Sequence, residues 1–134
     1  MTDYSQHFVV WGRDLGQHAA DYLSGLLGTE RRRNLEGIHG DIPESNYQGI
    51  QQFITDSPWN EGALMAQIAS EVNGLLGGHR HSALIIDETT FIKKGAHSVG
   101  VQRQDCGRLG KTENCQMGVF ACLGRGERSA VVDF

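Results

Sequence analysis

The chain has 134 residues, the length of one ordinary domain, with 39% hydrophobic and 21% charged residues and a net charge of −4. This composition excludes a disordered chain, and no apolar run approaches the ~20 residues of a membrane span. The chain also starts without a basic and then apolar leader. Three cysteines that lack C-x-x-C spacing exclude a disulfide scaffold and a zinc ribbon, and they favour reduced thiols in the cytoplasm.

The first half of the chain is predicted to be helical. Apolar residues recur every three or four positions from Val10 and Trp11 to Leu27, which predicts one amphipathic helix that Gly28 ends. Residues 29–35 are predicted to open a short second helix. Its three arginines would then face solvent.

Two more helices are predicted from their end signals. Pro43 favours the first turn of a third helix, and Pro58 restricts the residue before it, so this helix stops near Ser57. Asn60 is then expected to cap a fourth helix, which Gly77 and the glycine after it end. Its apolar stripe consists of Leu64, Ile68, Val72, Leu75 and Leu76.

The periodicity changes after Gly78, where short β-prone segments replace the helical stripes. Residues 83–86 predict a buried strand that ends at Asp87 and Glu88, and Gly107, Gly110, Gly124 and Gly126 are predicted to mark turns. Further strands are predicted at residues 98–104, 115–123 and 129–134. The expected fold class is therefore α+β, with a helical region at 1–78 and a strand region at 79–134.

Asp87 is the most informative candidate for chemistry. A carboxylate at the end of a buried strand sits at a rigid edge, where its oxygens can hold a hard cation such as Mg²⁺. Glu88 is expected on the opposite face, because side chains alternate along a strand. The structural alternative is that Asp87 caps a turn and that Lys93 and Lys94 are solvated loop charges.

An ATPase site is also considered and rejected. An apolar run before Asp87 and Glu88 is typical of a Walker B strand, and Gly110-Lys111-Thr112 matches the end of a P-loop. However, Asp105 occupies the position where the P-loop needs its first glycine, and a carboxylate there would repel phosphate. The order of the two motifs along the chain is also reversed.

An ordered set of short segments carries a resemblance to a known family. Together they resemble the N-terminal part of bacterial insertion-sequence transposases with a DDE superfamily endonuclease domain, from about Tyr22 to Phe134. The segments are Ser57-Pro58-Trp59-Asn60, Ile86-Asp87-Glu88-Thr89, Lys93-Lys94-Gly95, His97-Ser98-Val99-Gly100-Val101, Arg103-Gln104, Cys106-Gly107, Leu109-Gly110-Lys111, Asn114-Cys115-Gln116 and Gly118-Val119-Phe120.

The resemblance implies an RNase H-like catalytic fold behind a helical N-terminal region. The first three strands of that fold form an antiparallel meander, and Asp87 matches the first catalytic carboxylate on the first strand. The family uses two aspartates and one glutamate to hold two Mg²⁺ ions for in-line attack on DNA. DNA, in the form of transposon ends, is therefore the expected partner, and a membrane is not.

The chain departs from the family pattern at its end. The second aspartate and the glutamate of the family lie beyond the third strand, and the family motif does not place Asp105, Glu113 or Asp133 in those roles. We therefore expect the front portion of a transposase, inactive alone. An unpaired strand edge near Val131 and Val132 would then favour self-association.

Basic residues are the candidates for DNA contact. The resemblance places the Lys93 and Lys94 loop next to the catalytic site, and Arg103 and Lys111 extend the same locally basic stretch. A second candidate for DNA contact is the triplet Arg31, Arg32 and Arg33. Residues 1–80 carry a net charge of −5, however, which favours a solvated helix face over specific DNA recognition.

The remaining motifs favour structural roles. Trp59 is predicted to be a packing anchor between helix and sheet, and His79 and His81 a solvent-exposed linker. His97 receives no proton-transfer role, and the cysteines are expected to be small buried hydrophobes. Two functions other than catalysis stay open: a DNA-binding or dimerising fragment that modulates a full-length transposase, and a decayed reading frame without a role.

Overall fold

The computed structural model describes residues 3–28, 34–42 and 44–134, and over these ranges the chain is an α+β protein with antiparallel strands. It divides into two compact units, Met1–Leu64 and Met65–Phe134, with the boundary inside the fourth helix. A 3₁₀ turn covers Ser5–Phe8. The other elements are β1 Val9–Val10, β2 Arg13–Asp14, α1 Gly16–Gly28, α2 Leu35–Asp41, α3 Tyr47–Thr55, α4 Glu61–Leu76, β3 Ser82–Ile92, β4 Gln102–Cys106, β5 Lys111–Arg125 and β6 Arg128–Asp133.

The predicted first helix begins later than its apolar stripe indicated. Val10 pairs with Arg13 in a two-residue hairpin, so Val10 and Trp11 are not helical. The helix begins only after Asp14, whose carboxylate accepts a hydrogen bond from the Gly16 N–H at 2.8 Å. This side chain takes up one of the free N–H groups of the first turn, which stabilises a helix start at this position. The predicted end at Gly28 is confirmed.

Asparagine side chains begin three of the described helices. Asn34 accepts from the Gly37 N–H, Asn46 from the Gly49 N–H and Asn60 from the Ala63 N–H, each at 2.9 Å. Such caps satisfy backbone N–H groups that have no partner within the helix. The cap at Asn60 confirms the prediction. Asn46, rather than a proline, begins the third helix.

Two helix predictions fall partly outside the described residues. Pro43 and the segment 29–33, with the three arginines, belong to that part of the chain. The second helix begins at Leu35, the last residue of the segment 29–35 that was expected to open it. The third helix ends at Thr55, close to the predicted stop.

Aromatic rings form the core of the first unit. Phe8 and Phe53 meet edge to face with centroids 5.7 Å apart, and Trp59 stacks on Phe53 at 5.5 Å. The Trp59 indole N–H also donates to the Phe53 carbonyl at 3.2 Å, so its polar atom is satisfied. Trp59 is thus a packing residue, as predicted. Its ring partners Phe8 and Phe53 belong to the 3₁₀ turn and to α3, however, and not to the sheet that was expected on one side of it.

The second unit is built on one long antiparallel pair. β3 pairs with β5 from Ser82 opposite Arg125 to Ile92 opposite Cys115. β4 and β6 pair with the two ends of β5, so the order is β3-β5-β4 with β6 also on β5. β5 and β6 confirm two of the predicted strands.

Several predicted strand limits are wrong. β3 continues through Asp87 and Glu88 to Ile92, because its pairing with β5 carries the extended backbone past the two carboxylates. Val99 is 89% exposed and precedes β4, which begins at Gln102. Gly124 lies within β5 and marks no turn.

The apolar run of β3 is exposed, which contradicts the predicted buried strand. Leu84 and Ile86 are 62% and 68% exposed, and Ile85, which alternates to the other face, is 51% exposed. A sheet normally buries its apolar faces against another layer. In the described part of the chain these three side chains lack such a cover.

A bend in β5 closes a small core in the second unit. Thr90 and Cys106 pair with Met117 and Lys111, which are six residues apart, or about 20 Å along a straight strand. The Thr90 hydroxyl and the Cys106 sulfur nevertheless lie 3.2 Å apart. β5 must therefore bend and fold β4 over β3. Cys106 and Cys115 are fully buried here, as predicted, and Cys122 is half-buried.

Candidate functional site

Asp87 lies in the middle of β3, directly opposite Phe120 of β5. Its side chain is exposed, and one carboxylate oxygen accepts a hydrogen bond from the Glu88 N–H at 2.9 Å. Glu88 pairs with Val119 and therefore points to the other face of the sheet. The alternative in which Asp87 caps a turn is wrong, because the strand continues for five more residues.

Aromatic side chains lie on the Asp87 face of the sheet. The Phe120 ring packs against Phe91 at 6.3 Å and against Phe134 at 6.1 Å. Gly118 makes room for them, since a Cβ at this position would lie 3.0 Å from the Phe120 ring and 3.1 Å from the Phe91 ring. The carboxylate of Asp87 is thus exposed beside a row of apolar rings.

Asn114 connects the backbone segments that carry several basic residues of the second unit. The Asn114 amide donates to the carbonyl oxygens of Lys93 and Gly95 at 2.8 and 3.0 Å, and Arg103 is the β4 partner of Asn114. Lys111 lies near the start of the same strand. We call Lys93, Lys94, Arg103 and Lys111 the basic cluster.

Glu113 neutralises part of the basic cluster. The Lys111 ammonium lies 3.1 Å from the Glu113 carboxylate. The Asn114 N–H and, after it, Lys111 hold the pKa of Glu113 below its usual value. Lys111 is therefore less available to an outside anion than Arg103 or Lys94, whose side chains are exposed.

Lys93 and Lys94 are not adjacent to Asp87 along β3, which corrects the expectation that their loop lies next to the carboxylate. Lys93 follows Asp87 by six residues along an extended segment, which corresponds to about 20 Å. The expectation was wrong because the strand does not end at Glu88. Phosphates of one DNA strand are about 3.4 Å apart along the helix axis, so this separation spans about six nucleotides.

A cleft of about 400 Å³ opens near β3, but Asp87 does not line it. Its polar walls come from Glu88, Asp105 and Arg108 instead. Sequence reasoning missed these residues because they meet only through the bend in β5. The remaining lining residues are Thr89, Thr90, Gly107 and Met117.

The histidine prediction agrees with the structure. His79 and His81 are exposed in the segment before β3, and the His79 N–H lies 3.3 Å from the Ser82 hydroxyl. His97 is exposed as well.

None of the described helices combines the length and apolar character that crossing a bilayer requires.

Comparison with known proteins identifies the family. The family model described as DDE superfamily endonuclease matches residues 12–134. The chain belongs to the DDE superfamily endonuclease family. A probable transposase for insertion sequence element IS701 from Microchaete diplosiphon is 38% identical over 90 residues, which are 67% of this chain and 23% of the relative. No solved structure gives a significant match.

This DDE superfamily chain spans about a quarter of the length of the curated relative that it matches. Its exposed Asp87 carboxylate is the type of hard oxygen ligand that divalent ions prefer. Among residues 3–28, 34–42 and 44–134, however, no group of three His, Cys, Asp or Glu side chains is placed to hold a metal ion. The described residues by themselves therefore do not form a complete metal site.

Proposed function

We propose that this chain is the N-terminal portion of a DDE transposase that acts on DNA, and that Asp87 is its first catalytic carboxylate. The helical region 1–78 precedes the first part of an RNase H-like catalytic domain at 79–134. The observation that supports this most is the position of Asp87, exposed in the middle of the first strand of the sheet, β3.

The strand order supports the RNase H-like assignment. β3, β5 and β6 are successive antiparallel neighbours, in the order expected for the first three strands of that fold. β4 pairs only with the first five residues of β5 in the described chain, so it is a side hairpin of this meander. Asp87 then occupies the first strand, as the family pattern requires.

The chain supplies one carboxylate of a two-ion Mg²⁺ site. Two magnesium ions held between several carboxylates would activate the attacking oxygen and stabilise the leaving oxygen at phosphorus. One exposed aspartate cannot hold that pair of ions. We therefore expect no DNA cleavage by the chain alone.

Complementation tests this role of Asp87. The purified chain is mixed with a C-terminal segment of the IS701-type relative that contains the remaining catalytic carboxylates, and cleavage of transposon-end DNA is measured with Mg²⁺. Cleavage is expected only from the mixture, with loss in Asp87→Asn. Glu88→Gln is the matched control, because this neighbour faces the opposite side of the sheet. Equal complementation by Asp87→Asn would exclude Asp87 from the site, and cleavage by the chain alone would show that its site is complete.

The basic cluster is proposed to bind the DNA backbone beyond the site of cleavage. Lys93 follows Asp87 by six extended residues, or about 20 Å, which would place this lysine on phosphates several nucleotides away. Each neutralised phosphate changes the slope of log K against log salt by about 0.9. Arg103→Gln should therefore lower the slope by about one, and Lys111→Gln by less, because Glu113 already pairs with that ammonium.

A salt titration of DNA binding measures this difference. Arg128→Gln is the control, because Arg128 is also exposed but lies at the start of β6 and outside the basic cluster. Equal slopes for the Arg103 and Arg128 variants would contradict a specific role for the cluster. Arg31, Arg32 and Arg33 lie outside the described residues, and their contact with DNA stays a prediction.

A second candidate function is association with a full-length transposase or with a second copy of the chain. The exposed side chains of Leu84 and Ile86, which share one face of β3, favour it, because exposed apolar surface can mark an interaction site. β3 also pairs only with β5 among the described residues, which leaves one edge open. Light scattering of the wild-type chain and an Ile86→Lys variant tests this. A monomer in both would contradict self-association.

A further inference from the structure

The tip of the β1–β2 hairpin has a feature that the proposed catalytic role does not use. Trp11 is 90% exposed, although a tryptophan side chain normally buries most of its large apolar surface. Among the described residues other than glycine, it alone has a positive φ, 49°. The match to the family model begins at residue 12 and therefore does not include Trp11.

Turn chemistry does not explain the tryptophan. The two turn residues, Trp11 and Gly12, both have positive φ, as a type I′ hairpin turn requires. Asparagine or glycine suits the first of these positions, whereas a bulky side chain is strained there. The chain therefore holds an exposed indole ring at a position where its fold favours a small residue.

The hairpin is a fixed support for this ring. Val10 pairs with Arg13, and the Leu15 N–H donates to the Phe8 carbonyl at 2.8 Å, which extends the pairing toward the core. Phe8 itself is buried against Phe53. The indole is thus presented to solvent on a short, anchored structure.

The surroundings of Trp11 include a cation that could contact the backbone of a nucleic acid. Arg13 is exposed two residues away, and no ion-pair partner of its guanidinium is found in the described ranges. The neighbouring Asp14 carboxylate is engaged by the Gly16 N–H at the start of α1. Trp11 and Arg13 line one pocket of about 140 Å³ that also includes Val10, Leu15, Asp56 and Pro58. One aromatic ring beside one cation suffices to stack a base and contact its phosphate.

We propose that Trp11 stacks on an unpaired base of the DNA substrate while Arg13 contacts the adjoining backbone. The site would take single-stranded or unpaired nucleotides, and it would be tolerant of sequence because every base has an aromatic face. This inference rests on the proposed function, since it assumes that the chain binds DNA.

Two DNA probes test the proposal: a blunt duplex, and the same duplex with a short single-stranded 3′ tail. The wild-type chain is expected to bind the tailed DNA about tenfold more tightly, the change that stacking of one base provides. Trp11→Asn should lose this preference but keep its affinity for the blunt duplex. Because asparagine suits the turn, the melting temperature of the Trp11→Asn variant should stay equal to that of the wild type or rise. If the Trp11 side chain served only to stabilise the fold, the Trp11→Asn substitution would lower the melting temperature instead.

Fluorescence gives a second measurement at the same position. The chain has two tryptophans, and Trp59 is packed in the core, so quenching by tailed DNA should come from Trp11. Trp11→Phe is expected to keep most of the preference and lose the quenching. Leu27→Ala, which changes an exposed apolar residue elsewhere, should behave as the wild type.

Each failure has a distinct meaning. If Trp11→Asn still prefers tailed DNA, or loses affinity equally for both probes, the stacking role is wrong while the DNA-binding proposal stands. If Trp11→Asn keeps wild-type DNA binding but changes the oligomeric state, the indole contacts protein. If the wild-type chain binds neither probe, the proposed function fails together with this inference.

Discussion

The two units of the chain bury their apolar side chains to different extents. In the first, Phe8, Phe53 and Trp59 pack as a cluster of rings, and Ile50 is only 1% exposed. In the second, the long β3–β5 ladder pairs the backbone while Leu84 and Ile86 stay largely in solvent. Burial of apolar surface supplies most of the free energy of folding, and a backbone hydrogen bond adds only about 1 kcal/mol net.

The contrast indicates two different sources of stability. The first unit contains its own apolar core and is expected to resist unfolding by itself. The sheet of the second unit is extended and regular. Its exposed apolar residues, however, must be covered by another surface before they can contribute to the free energy of folding. A partner that covers Leu84 and Ile86 would therefore raise the stability of the second unit and leave the first nearly unchanged.

The largest expected difference in stability is between two isoleucine-to-alanine substitutions, one in each unit. Ile50→Ala removes a fully buried side chain and should lower the free energy of unfolding by about 2–5 kcal/mol. Ile86→Ala removes a side chain that is already mostly solvated and should cost under about 0.5 kcal/mol. Urea denaturation, followed by tryptophan fluorescence for the first unit and far-UV circular dichroism for the sheet, measures both.

An equal loss in the two variants would contradict the contrast. In that case Ile86 is covered in solution, and the loss should grow with protein concentration if a second copy provides the cover. A concentration series of the Ile86→Ala variant separates these outcomes.

Elements were predictable where one strong local signal governs them. The cap at Asn60 and the end of α1 at Gly28 follow from residue types at helix ends. The hairpin before α1 was missed because Val10 and Trp11 fit a helical period, while Gly12 and the capping carboxylate of Asp14 decide the local structure. A short turn has too few residues to disturb a periodic pattern.

The candidate site was only partly predictable for a related reason. Asp87 could be singled out because an apolar strand leads directly to it, and its catalytic role stays a prediction. The cleft of Glu88, Asp105 and Arg108 was not found, because it depends on a bend in β5 that no periodicity reveals. The distance from Asp87 to Lys93 was also misjudged, since the length of β3 is decided by its pairing with β5.

An intermediate effect is expected from two glycines within helices. A Cβ at Gly25 of α1 would collide with the Ile38 side chain, whereas a Cβ at Gly74 of α4 meets nothing within 4 Å. Gly25→Ala should therefore destabilise the first unit by about 1–3 kcal/mol through overpacking. Gly74→Ala should stabilise its helix by up to about 1 kcal/mol, since alanine is the better helix former.

Thermal melting of the two glycine variants checks this pair. A stabilised Gly25→Ala would mean that α1 and α2 are not closely packed at Ile38. A destabilised Gly74→Ala would mean that another group contacts this face of α4 in solution.

The smallest expected effect is a pH dependence of the second unit. Burial and, after it, the nearby Cys106 thiol raise the pKa of Cys115. The folded state therefore binds the thiol proton more tightly than the unfolded state does. The resulting stability is complete below the ordinary thiol pKa of about 8.5, and it is lost as pH rises above that value. The urea midpoint of the sheet should fall between about pH 8 and pH 10, and it should fall less in Cys115→Ala. A fall of the same size in both proteins would assign the pH dependence to other groups and would remove the buried thiol as its cause.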